Sequence, residues 1–302
     1  MFRDGKYKQR DEKPWRKIMK MGGPFVYDNV MWPPFPGLCP DSEKKFKEKQ
    51  DMECRDTDVY LCSFPKAGTN WTHEVLSMLM SQSTSYNLWV KQKSLLELCD
   101  PIDSVTKRPS PRLLMTHMPY RYLPSQLQNG KGKIVYVQRN PKDLFVSLYN
   151  FEKGKSAIGK HLSWEEFFEK TVIKDEGALY GGWYEYTKEW EKQLGHDNIL
   201  QLYYEDMKKD LTGNILKIAD FIETSCSKEL AETIADKCSF DNLKANRIDP
   251  TSFLTDGGKS TLFRKGQVGD WKNWFTVAQN EIFDRNYKDV MKGTTLNFLY
   301  EL

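Results

Sequence analysis

Short apolar runs alternate with helical patterns along most of this chain. Between the runs, apolar residues recur at helical spacing, as at Trp71, Val75 and Leu79, and again after Pro141. Four mostly apolar runs of four or five residues have the length of buried strands. They are Val59–Cys62, Leu113–Thr116, Ile134–Val137 and Ile199–Tyr203. Such an alternation predicts an α/β fold of three layers, with a central parallel sheet flanked by helices on both faces.

The first fifty residues follow a different pattern, because they are polar and interrupted by proline and glycine. They predict an irregular N-terminal arm with one helix near Ser42–Gln50. No internal repeat, low-complexity tract or long linker divides the sequence. We therefore expect residues 1–302 to form a single domain.

In parallel sheets of this kind, ligands bind beyond the carboxyl ends of the strands. The first apolar run leads into Ser63–Trp71, where a turn containing Lys66 and Gly68 precedes a predicted helix. Backbone N–H groups at a helix start attract anions, and Lys66 adds a mobile positive charge. The lysine precedes the glycine, so this is not the GxxxxGK[ST] loop. The alternative interpretation is an ordinary turn with a surface lysine.

Two further strand ends carry candidate chemistry. The second run ends at His117, which suits general-base work near neutral pH, although a structural histidine is the alternative. The third run ends at Arg139, whose fork of donors can bind a phosphate, and Ser147 follows in the next helix. The alternative for Arg139 is that it caps carbonyl groups or pairs with Asp143.

The segment 256–271 contains four glycines and the basic residues Lys259, Arg264 and Lys265. This composition predicts a flexible lid in which Arg264, Lys265 and Gly266 close on a phosphate group. A solvated charged loop is the commoner interpretation of such a stretch.

Composition limits the possible partners. The net charge is only +3, from 45 basic and 42 acidic side chains, which argues against nucleic-acid binding. No apolar run is long enough for a membrane span, and the N-terminal residues have no signal-peptide core. The six cysteines show neither a CxxC pair nor metal-ligand spacing, so we expect reduced thiols, no metal and a cytoplasmic location.

Together these motifs resemble the cytosolic sulfotransferase family, in its order and spacing, over roughly Val59–Arg285. The resemblance implies a P-loop-like fold, 3′-phosphoadenosine 5′-phosphosulfate (PAPS) as donor, its desulfated form PAP as product, and a hydroxyl or amine acceptor. It implies a 5′ site made of Lys66, Ala67, Gly68, Thr69, Asn70 and Trp71. It implies a 3′-phosphate site made of Arg139, Ser147, Arg264, Lys265 and Gly266. It implies adenosine contacts from Tyr204 and Phe240, with Cys238 at the position of an adenine-contacting threonine.

The resemblance also implies catalytic roles. His117 takes the acceptor proton, Lys66 neutralises charge on the bridging oxygen, and Ser147 restrains Lys66 until the acceptor arrives. Met115 stands where the family often has lysine, so we expect a lower rate. A short family dimer motif is matched by Lys272, Thr276, Val277 and Glu281, which predicts a homodimer.

The acceptor itself is not defined by these motifs. The N-terminal arm is expected to contribute to its pocket, and aromatic side chains suit a flat apolar molecule, with core packing as the alternative; these are Phe25, Tyr27, Trp32 and Trp89. Two other functions stay open, a non-catalytic binder of nucleotide or small ligand and a nucleotide kinase. The kinase would need a lysine after the glycine and a Mg²⁺ site.

Overall fold

The computed structural model describes residues 23–86, 93–153, 162–246 and 264–302. Its strands are β1 Phe25–Tyr27, β2 Val30–Trp32, β3 Val59–Ser63, β4 Leu113–Thr116, β5 Lys133–Gln138 and β6 Ile199–Tyr203. The last four form one parallel sheet in the order β4-β3-β5-β6. All four predicted strands are therefore present, and their carboxyl ends meet at one edge.

Helices surround this sheet. They are α1 Ser42–Gln50, α2 Thr69–Ser81, α3 Asp103–Thr106, α4 Ser125–Gln128, α5 Pro141–Lys153, α6 Trp164–Phe167, α7 Trp183–Glu191, α8 Tyr204–Lys209, α9 Leu211–Phe221, α10 Lys228–Lys237, α11 Phe240–Asn246 and α12 Val277–Val290. A π-helical segment, Phe168–Ile173, continues α6, and 3-10 turns occur at Leu96–Leu98, Tyr120–Tyr122 and Asp270–Asn273.

Strand side chains alternate between two apolar cores, one on each face of the sheet. On one face Tyr60 and Tyr136 share a cluster with α5, α7 and α12, and Trp190 stacks on Tyr136 with ring centroids 4.3 Å apart. On the other face Leu61 shares a cluster with α2, α9 and α10, including Val75. Burial on both faces explains why the strands are apolar without alternation. The predicted three-layer α/β fold is confirmed.

The N-terminal arm is more regular than its sequence predicts. Strands β1 and β2 pair as an antiparallel hairpin around Asp28 and Asn29, both of which have positive φ angles. Asparagine and aspartate tolerate this conformation, which suits a tight hairpin. The predicted helix near Ser42–Gln50 is present as α1.

A buried ion pair fixes the amino ends of β3 and β4. Asp58 precedes β3 and Arg112 precedes β4, and two guanidinium nitrogens of Arg112 donate to the Asp58 carboxylate. Both side chains are almost completely buried. The same carboxylate accepts the Arg55 backbone N–H at 2.8 Å. This anchor lies at the sheet edge opposite the strand ends considered next.

Within the described ranges, no helix combines the length and apolar character needed to cross a bilayer. The same part of the chain brings together no group of three His, Cys, Asp or Glu side chains suited to a metal ion.

Candidate active site

The predicted phosphate loop connects β3 to α2. Lys66 and Gly68 both have positive φ angles, 72° and 115°, and Gly68 is the N-cap of α2. A Cβ atom at Gly68 would lie 2.9 Å from the Tyr204 ring, so this position requires glycine. The cap has no side-chain hydrogen bond, and the first N–H groups of a 13-residue helix point beyond its end. This geometry suits an anion.

Arg139 lies beside this helix start. Its guanidinium group stacks over the Tyr204 ring, 4.4 Å from the centroid, and Tyr204 also meets Trp71 edge-on at 5.2 Å. The indole Nε1 of Trp71 donates to the carbonyl oxygen of Cys238 at 2.8 Å. The structure thus brings four predicted nucleotide residues from separate segments into one cluster.

The hydrogen bonds of Arg139 are incomplete. The residue is only 8% exposed, yet its Nε has no hydrogen-bond partner in the described part of the chain. Its two terminal nitrogens make long hydrogen bonds. One lies 3.4 Å from the Lys66 carbonyl oxygen and the other 3.3 Å from the Gln267 carbonyl oxygen. Its distance to the Asp143 carboxylate is 4.0 Å. A buried cation with an unpaired donor fits a phosphate group, which would supply strong acceptors.

The C-terminal segment from Arg264 onward packs against the same site. Asp143, at the start of α5, accepts the backbone N–H groups of Gly269 and Trp271 at 2.8 and 2.9 Å. Gly266 has a φ of 64°, and a Cβ there would lie 2.2 Å from the Phe240 ring. Phe240 and Gly266 are therefore in direct contact. The lid residues 256–263 lie outside the described residues.

The first two residues of this segment, Arg264 and Lys265, share one carboxylate. Arg264 donates to Asp270 at 2.6 Å and Lys265 at 2.5 Å, while Asn273 donates at 2.9 Å. Burial alone would raise the pKa of Asp270, but these hydrogen bonds together lower it. Asp270, which the sequence did not single out, thus holds two predicted phosphate ligands side by side.

His117 lies just beyond the end of β4. Its Nδ1 is 2.8 Å from the Ser63 carbonyl oxygen, which can only accept, so Nδ1 carries the proton. The hydroxyl of Ser63 is 2.6 Å from the Thr69 hydroxyl in the phosphate loop. Ser63 therefore links the candidate base to the candidate phosphate loop. In the neutral imidazole Nε2 is then the basic nitrogen.

The side chain of Lys66 lies over the ring of Phe151, with Nζ 4.1 Å from the centroid. Phe151 and Ser147 belong to α5, one helical turn apart, so both are on the side of the helix near the loop. A cation over an aromatic face is attracted by the electron density of the ring. Phe151 is a contact of Lys66 that the sequence interpretation did not assign.

Other predicted site residues have different surroundings. The Cys238 thiol is buried, and its sulfur lies 3.9 Å from the Met78 sulfur. Cys238 contacts Trp71 through its backbone carbonyl group instead. Met115 is buried in the apolar core that contains α2. Trp32 has no exposed surface and packs on Phe46, Tyr122 and Tyr180. This environment corresponds to the alternative of core packing.

Two predicted acceptor contacts lie in the arm hairpin. Phe25 and Tyr27 are partly exposed, and Tyr27 stacks on Phe46 at 4.7 Å. Trp89 lies outside the described residues. The four residues of the predicted dimer motif are all exposed, and Val277 is 79% exposed.

Residues 56–295 match the sulfotransferase domain family. The chain belongs to the sulfotransferase family. This sulfotransferase is 32% identical to mouse sulfotransferase 1B1, with 96% of this chain and 98% of that protein aligned. It is 34% identical to human sulfotransferase 2A1, covering 85% of this chain and 92% of that one. The resemblance seen in its sequence motifs is confirmed.

Solved structures agree with this assignment. The sulfotransferase superposes on mouse sulfotransferase SULT7A1 complexed with PAP at a TM-score of 0.75 and 29% identity, covering 89% of this chain and 94% of that one. Its fold also matches retinol dehydratase in complex with androsterone and PAP, at a TM-score of 0.73 and 21% identity, covering 94% of this chain and 95% of that one.

Proposed function

We propose that this enzyme transfers a sulfuryl group from PAPS to the hydroxyl or amine group of a small, apolar or aromatic acceptor. The observation that carries the proposal is the link through Ser63. Its carbonyl group binds the His117 imidazole and its hydroxyl group binds Thr69 of the phosphate loop. A proton acceptor and an anion site are thereby held side by side.

The nucleotide would bind with its 5′ side on Lys66–Trp71. Its 3′ phosphate would lie at Arg139, together with Arg264 and Lys265. The Arg139 Nε, which has no hydrogen-bond partner among the described residues, supports an anion there. Tyr204, Trp71 and Phe240 offer aromatic surface for the adenosine group. The PAP complex of the SULT7A1 relative supports this nucleotide.

In the proposed reaction PAPS supplies the sulfuryl group and leaves as PAP. His117 accepts the acceptor's proton at Nε2 while Ser63 keeps Nδ1 protonated. The new bond joins the acceptor oxygen or nitrogen to sulfur, and the bond from sulfur to the phosphate oxygen breaks. Lys66 swings from the Phe151 ring to stabilise the charge that grows on that leaving oxygen.

Substitution of the proposed base tests this function. We expect His117→Ala to abolish transfer of labelled sulfuryl groups while PAP binding, measured by calorimetry, stays within about twofold, because the phosphate contacts are intact. His196→Ala, which removes an exposed histidine, serves as the matched control. Near-normal turnover by His117→Ala would remove His117 from its role.

The same assay separates the alternatives. Wild-type protein that binds PAP but transfers nothing to any acceptor would be a non-catalytic binder. Turnover without added Mg²⁺ would exclude the nucleotide kinase, which the family match already disfavours. The acceptors to be tested are phenols, sterols, amines and flavonoid-like alcohols. Amines are included because rabbit amine sulfotransferase is 35% identical to this chain, over 86% of this chain and 89% of its own length.

A further inference from the structure

A buried carboxyl group lies directly behind the proposed base. Glu97, in the 3-10 turn Leu96–Leu98, accepts the backbone N–H of His117 through Oε1 at 2.6 Å. The neighbouring Thr116 hydroxyl accepts the backbone N–H of Met118 at 3.0 Å. Glu97 and Thr116 therefore fix the backbone N–H groups of two consecutive residues, His117 and Met118.

An isolated strand bridge explains how a residue twenty positions away reaches His117. Leu95 and Met115 form a parallel bridge beside β4. The 3-10 turn that carries Glu97 begins directly after Leu95, and His117 follows two residues after Met115. The bridge therefore holds this turn next to the end of β4, where the Glu97 carboxyl group meets the His117 N–H.

The N-terminal arm holds the turn that carries Glu97. The backbone N–H of Gly37 donates to the Glu97 carbonyl at 3.0 Å, and the Lys49 ammonium donates to the Gly37 carbonyl. A Cβ atom at Gly37 would lie 2.7 Å from the Glu97 carbonyl oxygen. Lys49 is 1% exposed and its charge attracts that of Glu97. The turn is thus clamped between the arm and β4.

Burial raises the pKa of the Glu97 carboxyl to about 7, although the hydrogen bonds and Lys49 lower it. Charged and titratable side chains from several elements interact with it, and they are Lys49, Cys62, Cys99, Tyr180 and Tyr186. Burial raises the pKa of each of these cysteines and tyrosines, so they stay neutral at pH 7. Lys49 is therefore the cation among them, and His117, whose backbone N–H binds the carboxyl group, is the neighbour that gains positive charge in the proposed reaction.

We propose that Glu97 is a positioning residue for the reaction, fixing the backbone at His117 and stabilising the imidazolium that forms when Nε2 takes the acceptor's proton. This inference rests on the proposed function of His117. Glu97 acts through the His117 backbone and through its own charge, so it is not itself a proton acceptor for the substrate.

The geometric effect is tested by paired substitutions. Glu97→Ala removes the carboxylate that accepts the His117 N–H, so kcat should fall on the order of 100-fold while the KM for PAPS stays within about twofold. In Glu97→Gln the amide oxygen still accepts that N–H, so kcat should recover to within about fivefold of the wild type. Glu189→Gln is the matched control, because Glu189 accepts the Arg121 backbone N–H at 2.8 Å elsewhere.

The electrostatic effect is tested by pH. A neighbouring negative charge stabilises the imidazolium, so its removal in Glu97→Gln should lower the pKa of His117. We expect the acid limb of the kcat profile to move to lower pH in this variant. An NMR titration of His117, assigned with His117→Ala, should show the same direction without requiring turnover, and Glu189→Gln should leave it unchanged.

The outcomes separate this proposal from the function on which it rests. If the wild type transfers nothing, the proposed function fails, while the NMR titration still tests Glu97. Folding of each variant is followed by thermal unfolding. A folded Glu97→Ala variant with wild-type kcat would overturn the geometric effect. An unchanged His117 pKa in Glu97→Gln would overturn the electrostatic effect. If kcat in Glu97→Gln stayed as low as in Glu97→Ala, Glu97 would have only a general structural role.

Discussion

Arg139 illustrates how one residue can serve two partners. Its planar guanidinium group stacks on Tyr204, which leaves its N–H edge directed along the plane of the group. The Tyr204 ring in turn contacts Gly68 and Trp71. A phosphate bound to the edge of Arg139 would therefore be aligned with the start of α2 through one aromatic ring. Charge alone would not give this alignment.

A substitution that keeps the charge tests the planar group. In Arg139→Lys the ammonium cannot bind a phosphate with two parallel donors or stack as a plane, so PAP should bind about tenfold more weakly. Calorimetric titration with PAP measures this. Arg121→Lys makes the same change where another arginine stacks on Tyr122 at 4.7 Å, and PAP affinity should not change. Equal affinity for both variants would contradict the role assigned to the stack.

At the scale of elements, the four strands and the loops at their ends follow from the sequence, because burial on both faces leaves continuous apolar runs. Three long helices, α7, α10 and α12, were not predicted from the sequence. Local signals were present for two helix starts, because Ser163 with Glu166 forms a capping box at α6 and Thr276 with Gln279 forms one at α12. Contacts between distant segments, such as Glu97 with His117, leave no local pattern and depend on strand register.

The buried ion pair at the amino ends of β3 and β4 is an element-scale anchor. In Asp58→Asn the Arg112 cation stays buried without its counter-charge, so the free energy of unfolding should fall by about 3–5 kcal/mol. Urea unfolding at pH 7 measures the loss. Asp103→Asn is the control, because its pair with Lys107 is mostly exposed and should contribute less than about 1 kcal/mol. Equal losses would show that burial does not set the contribution.

At the scale of the whole molecule, the predicted dimer motif lies on the surface. Lys272 pairs with Glu301, and Thr276 caps α12 with a capping box. Val277 follows as an apolar side chain that is 79% exposed, and Ile282 is also exposed. We propose that this strip pairs with the same strip of a second copy, because a two-fold interface brings identical residues together.

A charge placed on this strip tests the dimer. Val277→Glu would bring two like charges together across a two-fold axis, so light scattering should show a dimeric mass for the wild type and a monomeric mass for the variant. Val26→Glu is the matched control, since Val26 is 67% exposed on the arm hairpin. A dimeric Val277→Glu variant, or a monomeric wild type, would contradict the proposed interface.

The close contact between Gly37 and the Glu97 turn has a consequence for protein engineering. Swapping the N-terminal arm between relatives is an obvious way to exchange acceptor preference, because loops and arms vary more freely than the sheet that carries the chemistry. In this enzyme such a chimera would also replace the clamp behind His117, the proposed base. A transplanted arm should work only if it brings a glycine at position 37 and a lysine at position 49, the two residues that hold Glu97 in place.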